Sequence, residues 1–179
     1  MSQLLLSGFA LALTACSIST GGDDDGAPGV PAQGGGATRT YAVADFTRVE
    51  LRGADDVDIR VGPGFSVRAD GDPEVLDRLK ITKEGDAIRI GRVRTSGWNW
   101  GGKDARISIT MPALAGTAVA GSGDIRVDRI EGASFRGETA GSGNLRIDRL
   151  AVNDAVFRIA GSGGVEASGE VRSIEVSIA

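Results

Sequence analysis

Three serines stand between glycines at a fixed interval: Ser122, Ser142 and Ser162, each inside the tetrapeptide AGSG. A serine in such a turn is exposed enough to be a nucleophile, but it then needs a base to take its proton. The chain contains no histidine, which removes Ser-His-Asp and Cys-His catalysis and most zinc sites. Three equivalent copies of one serine describe a repeated structural part, and no catalytic residue is assigned. Asp124 and Asn144, each directly after Gly-Ser-Gly, raise calcium instead. Calcium-binding β-rolls repeat about every nine residues and carry a second acidic position that completes the oxygen cage. Here the interval is 20 residues, the second acid is missing, and Gly164 stands where the third copy would need a ligand. We therefore read Asp124 and Asn144 as turn-capping groups, with no metal and no cofactor.

The segment GWNWGG at 97–102 holds both tryptophans of the chain, Trp98 and Trp100, around Asn99. Exposed tryptophan stacks on sugar rings or inserts at an interface. The competing role is structural, with the indoles folding back to plug an open end of the fold. Asp128–Arg129 and Asp148–Arg149 recur as opposite charges and read as a solvated face, since exposed pairs contribute about 0–1 kcal/mol. The formal net charge of −4 argues against a nucleic-acid partner, which calls for a dense basic field.

The single cysteine, Cys16, cannot close an internal disulfide. It follows LLLSGFALAL at 4–13, an apolar run too short to span a bilayer and of the right length for a signal-peptide core. LTAC at 13–16 resembles a bacterial lipobox, so residues 1–15 are expected to be a lipoprotein-type signal and Cys16 the lipidation site that tethers the chain to a membrane. Ser17 fits the pattern of outer-membrane sorting, facing the periplasm or the cell surface. MSQ at 1–3 lacks the basic start such signals carry, which is a departure from the pattern. Residues 16–40 are rich in Gly, Pro, Ala and Asp, with almost nothing to bury, and are expected to form a flexible tether. In that setting Asp23, Asp24 and Asp25 read as a solvated charge run.

These candidate residues need a scaffold, and the repeat supplies one. AGSGDIRVDRI at 120–130 returns as AGSGNLRIDRL at 140–150 and AGSGGVEASGEV from 160, and an equivalent alanine, Ala179, follows 19 residues after Ala160. Repeats of this period indicate a solenoid or array. Apolar and polar residues alternate within each unit, as in Ile125, Val127 and Leu145, Ile147, which indicates short strands with one buried face. The glycine groups Gly121, Ser122, Gly123; Gly141, Ser142, Gly143; and Gly161, Ser162, Gly163 then become equivalent corners, where glycine reaches positive φ. VELRGADDVDIRV at 49–61 matches the repeat if Gly53 aligns with Gly121 and Asp56 with Asp124. The coil is expected to start near Tyr41. DPEVLDRL at 72–79 reads as one short helix near 73–79, with Asp72 as its cap and Pro73 at its first position. Twenty-eight glycines and only 4% aromatic residues suit slim strands and tight turns.

The order of these parts, and above all ITMPALAGTAVAGSGDIRV at 109–127 with the repeated AGSG, resembles the family called "Putative auto-transporter adhesin, head GIN domain". The resemblance covers 41–179. It implies an all-β, right-handed parallel β-helix of roughly 20-residue rungs, in proteins that are secreted or lipid-anchored, and it supplies no catalytic residue. The expected function is a non-enzymatic, adhesin-like module of the cell envelope that binds a protein or glycan. The alternatives are a polysaccharide-active β-helix enzyme and an envelope assembly subunit. Because Ile174, Val176 and Ile178 have no cap after them, the last rung is expected to be open to self-association and further Gly-Ser-Gly rungs are expected beyond Ala179.

Overall fold

An extended chain points successive side chains to opposite faces, so alternating sequence becomes strand wherever one face can be buried. The computed structural model describes residues 28–93 and 104–179. In chain order they form β1 (Ala32–Gln33), β2 (Thr38–Tyr41), β3 (Arg48–Gly53), β4 (Asp56–Val61), β5 (Ser66–Asp70) and α1 (Pro73–Leu76). There follow β6 (Leu79–Glu84), β7 (Ala87–Arg92), β8 (Arg106–Met111), β9 (Gly116–Gly121) and β10 (Ile125–Val127). The chain then runs through β11 (Ile130–Gly141), β12 (Leu145–Gly161) and β13 (Val165–Ile178). The described residues are all-β apart from one helical turn, and their 13 strands join a single curled sheet.

Two parallel ladders make up most of that sheet. In the first, β8, β4, β10, the start of β12 and the start of β13 lie side by side, with Ile125 between Val57 and Leu145 and Leu145 against Val165. In the second, β7, β3, β9, β11, the later part of β12 and β13 follow one another, and Gly53, Gly121, Gly141 and Gly161 fall in one row. Residues 20 apart are therefore neighbours through the repeats, and the 49–61 segment lies in register with them. The 19-residue interval also has a structural counterpart. Between Ile147 and Leu150 the register against β13 shifts, so that Ala167 and Gly169 oppose them and one residue is absorbed.

Large and small residues alternate between rungs so that the column fills. Phe135 lies against Ala155, while Gly137 lies against Phe157. A Cβ at Gly137 would come within 2.8 Å of the Phe157 ring and of Leu145, and the two rings meet at 6.0 Å and 55°. The buried column runs through Leu51, Ile59, Ile107, Ile125 and Ile147 as well.

Several boundaries differ from expectation. The first strand of the parallel ladders is β3, and the parallel pairing does not begin at Tyr41. Tyr41 belongs to β2, which pairs antiparallel with β5, and β5 and β6 in turn pair antiparallel with β8 and β7. These strands continue the sheet past the early end of each ladder. Part of the expected tether is strand as well: β1 pairs with β2, and Val30 N–H donates to the Ile81 carbonyl at 2.7 Å. The helix is shorter than 73–79. The Asp72 carboxylate accepts from Glu74 N–H at 3.0 Å, and Val75 and Leu76 are buried. The helix stops at Leu76 because Leu79 already pairs with Arg92 in the sheet.

At the other end, β13 has β12 on one side. Its inward row is exposed, with Ile174 at 58%, Val176 at 52% and Ile178 at 74%, whereas Phe157, in register with Val176, is 3% exposed.

Candidate functional site

Each corner between the ladders is a four-residue bend, and the corners stack. Gly121, Gly141 and Gly161 have φ of 131°, 119° and 111°, which L-residues with a Cβ rarely adopt. Each corner's first carbonyl accepts two N–H groups from the corner above. Ser142 and Gly143 donate to Gly121 at 2.9 and 3.0 Å, and Ser162 and Gly163 to Gly141 at 2.9 Å. The third position is closed by contact. A Cβ on Gly143 would sit 2.1 Å from the Gly123 carbonyl oxygen, and one on Gly163 would sit 2.0 Å from that of Gly143. The serines between them are exposed.

The fourth position builds a polar ladder. Asp124 Oδ1 accepts from Asn144 N–H at 2.8 Å and from Asn144 Nδ2 at 3.0 Å, and Asn144 Oδ1 accepts from Gly164 N–H at 3.1 Å. Below, Asp56 Oδ1 receives a longer bond of 3.4 Å from Asp124 N–H. Asp124 and Asn144 thus cap the turn of the next rung, and not their own. Among the described residues no group of three or more His, Cys, Asp or Glu is placed to hold a metal ion.

Beside the corners, the outward residues of the first ladder form a second row: Asp58, Arg126, Arg146 and Glu166, each one strand from the next. Arg126 donates to Asp148 at 2.9 Å, and Arg146 donates to Glu166 at 2.8 Å and to Asp148 at 3.4 Å. The bond from Arg126, with Arg146 adding to it, holds the Asp148 carboxyl below the usual carboxylate range. The corner row and the charged row bound a shallow trough of about 530 Å³, with Arg106 at its lower end and Glu166 at its upper end. The trough offers carboxylate and amide acceptors along the corner side, and along the other the guanidinium donors of Arg126 and Arg146 between the carboxylates of Asp58 and Glu166. That arrangement suits recognition of a ligand bearing hydroxyl or charged groups at regular intervals.

One polar residue at the corners is wholly buried. Asp55 occupies, in the lowest corner, the place that Gly123 holds above it. It is 0% exposed; its carboxylate accepts from Arg92 Nε at 2.9 Å, from Arg92 Nη2 and from Ala105 N–H at 2.8 Å. Hydrogen bonding to Asp55 raises the Arg92 guanidinium pKa further. Asp55 therefore joins the end of β7 to the residue before β8. Sequence reading passed over it, although its signal was present: GADD departs from GSGD at the third position.

The structure brings the glycines, Asp124 and Asn144 together in one corner stack beside the trough. Cys16, Trp98, Asn99 and Trp100, together with residues 1–27 of the expected signal and tether, lie outside the described residues. No helix among the described residues is long and apolar enough to cross a membrane.

Comparison with solved structures supports the fold. A protein from Parabacteroides distasonis named "Putative lipid binding protein" matches at TM-score 0.67 and 20% identity, over 79% of this chain and 61% of its own. A "putative adhesin" from the same species matches at TM-score 0.62 and 15% identity, over 79% of this chain and 68% of its own. This chain thus spans less than two thirds of the first of them. No curated protein matches it. The family "Putative auto-transporter adhesin, head GIN domain" matches residues 45–179, three quarters of the sequence and every rung described above, and the chain belongs to that family.

Proposed function

We propose that this protein is a non-enzymatic binding module of the cell envelope, held at a membrane through lipidated Cys16 and presenting its outer sheet face to a glycan polymer or a protein. On this reading the two ladders and their corners are the faces of a right-handed β-solenoid. The tether is shorter than 16–40, since the chain is already bonded to β6 at Val30. The observation that carries the reading is the exposed row Asp58, Arg126, Arg146 and Glu166. Its spacing is fixed by main-chain pairing and not by the side chains themselves. Such a row presents charge at strand intervals of about 4.8 Å on main chain that is already ordered, so binding costs side-chain freedom only. Adhesin-like family membership and the lipobox-like LTAC point to the same envelope setting.

The test is a glycan array and a panel of purified envelope polysaccharides, probed with the protein and with an Arg126→Glu/Arg146→Glu variant. Binding that disappears in the variant supports the trough as the recognition surface. Binding that survives charge reversal moves the site elsewhere, and no binding to any polymer removes the glycan reading.

A further inference from the structure

The strands β8, β4, β10 and β12, which make the floor of the trough, each have a paired strand on both sides. Along them the trough sets Arg106, Arg126 and Arg146 among Asp56, Asp58 and Asp124. Every one of these cations already has a carboxylate. Arg106 lies 3.7 Å from Asp58, Arg126 donates to Asp148 at 2.9 Å, and Arg146 donates to Glu166 at 2.8 Å and to Asp148 at 3.4 Å. The corner carboxylates are matched by no cation among the described residues. Asp56 and Asp124 accept N–H groups of the corner, each through Oδ1, which leaves Oδ2 of both to a ligand. The trough is therefore net negative, and its positive charge is spent.

We propose that the trough takes an uncharged, hydroxyl-rich glycan and turns polyanionic polymers away, an inference that rests on the glycan reading above. A sulfate, phosphate or carboxylate on a ligand has to displace Asp148 or Glu166 from bonds that are charge-assisted at both ends. It does so beside Asp56 and Asp124, inside the screening length of about 8 Å at physiological salt. A hydroxyl meets neither cost, because it donates and accepts at once. It can donate to Asp124 Oδ2 and accept from the guanidinium N–H groups that the ion pairs leave over. Arg126 holds Asp148 through Nε and Nη2 and keeps Nη1, while Arg146 uses Nε and Nη1 and keeps Nη2. Acceptor and donor stand together in successive rungs, Asp124 with Arg126 and Asn144 with Arg146. A glycan chain lying along the ladder thus meets such a pair at intervals of about 4.8 Å.

Polymers that share a backbone and differ in charge test this, titrated against the full 179-residue chain. The pairs are hydroxyethyl cellulose with carboxymethyl cellulose, dextran with dextran sulfate, and each neutral glycan of an array with its sulfated or uronic-acid counterpart. Neutral members should bind, with a Kd that changes less than about twofold between low and high salt. Charged members should bind at least about tenfold more weakly. Asp56→Asn/Asp124→Asn removes the two unmatched charges and keeps the Oδ1 acceptors, as Asn144 does one rung above. It should tighten the charged members about tenfold and leave the neutral ones within about threefold. Charged members that bind as tightly as their neutral counterparts, and lose affinity steeply in salt, would overturn this inference and leave the glycan reading standing. A double variant with undiminished discrimination would overturn it as well. No binding by any member would overturn the glycan reading itself and this inference with it. Should the double variant perturb the fold, the matched pairs on the native chain decide the matter by themselves.

Discussion

Asp55 and Arg92 form a buried ion pair at the one corner of the stack where a side chain replaces glycine. In the corners above, a Cβ at this position would strike the carbonyl below, as Gly123 would strike Asp55 at 2.0 Å. Beneath Asp55 the corner contact is replaced by the ends of β7 and β8, and the carboxylate fills that place with three hydrogen bonds.

Removing either member is therefore expected to be costly. Breaking a buried pair typically loses about 3–5 kcal/mol. The Arg92 side chain is 21% exposed and lies 3.6 Å from Asp104 as well, so Asp55→Ala should cost the lower end of that range, about 3 kcal/mol. Arg92→Ala should cost at least as much, because it leaves a fully buried carboxylate with one main-chain donor. Guanidinium unfolding of both variants and their combination checks this. The double variant should fall well short of the summed losses, and simple additivity would mean that the two residues act separately.

Gly141→Ala and Gly143→Ala should each destabilise by about 3 kcal/mol or more, for different reasons. Gly141 has φ of 119° and its Cβ would also meet Gly121 O at 2.5 Å. Gly143 is not in the left-handed region; its obstacle is the Gly123 carbonyl at 2.1 Å and Val119 at 2.7 Å. Arg146→Gln on the exposed face should change stability by no more than about 1 kcal/mol. Thermal unfolding compares the three, and similar melting temperatures would contradict the close stacking of the corners.

The corners and the register were legible in the sequence because repetition fixes them: an identical AGSG every 20 residues has to stack on itself, and Gly53 could be placed by matching side chains on both sides of it. The early end was not legible. β1, β2, β5 and β6 pair antiparallel, each with a different partner and with no repeat to align, and the glycine-rich stretch before Thr38 looks like linker until Val30 is seen bonded to Ile81. Asp55 was hidden for a related reason. Two adjacent aspartates look equally polar, and only the row they join shows that one is buried and the other starts the corner ladder.

Two threonines sit where the column wants a hydrocarbon. Thr117 and Thr139 are 4% and 3% exposed, and neither hydroxyl has a hydrogen-bond partner. Thr139 lies between Val119 and Ile159, and Thr117 between Val49 and Gly137. Valine has nearly the same shape without the unpaired hydroxyl, so Thr139→Val should stabilise by about 1 kcal/mol, and Thr117→Val similarly. A rise in the guanidinium midpoint at unchanged slope is the expected result. A fall would mean that each hydroxyl holds a bond the fold depends on.

Acid should weaken the outer face in a defined window. Asp148, Asp70 and Asp86 are each held below the usual carboxylate range, chiefly by hydrogen bonds from Arg126, Arg68 and Arg48. A carboxyl with a depressed folded pKa contributes stability that is present above its unfolded pKa, about 4, and is lost as pH falls through the folded value. All three groups lie on the surface, so the loss should be small and should shrink further in high salt. Melting curves from pH 6 to pH 2 for the protein and for Asp148→Asn should converge at the acid end. Curves that stay equally far apart would show that ionised Asp148 contributes nothing.

The polar ladder of the corners stops at Gly164, and extending it should strengthen the upper rung. Asn144 Oδ1 already accepts from Gly164 N–H, and Asn144 Nδ2 shows the further bond that an amide makes to the rung below. Gly164 is free to take a side chain: its φ lies outside the left-handed region, and an added Cβ would meet only Asn144 Oδ1, at 3.5 Å. Gly164→Asn should therefore gain stability from two sources. Replacing glycine restricts the unfolded chain, worth about 0.4–1 kcal/mol, and the new amide can donate to Asn144 Oδ1 as Asn144 does to Asp124, worth about 0.5–1.5 kcal/mol. Gly164→Ala carries the first contribution without the second, so the difference between the two variants isolates the ladder bond. In an Asn144→Ala background the difference should vanish, because the acceptor is gone. If Gly164→Asn is no more stable than Gly164→Ala in the native background, the corner residues act singly and the rungs are held by main chain and core alone.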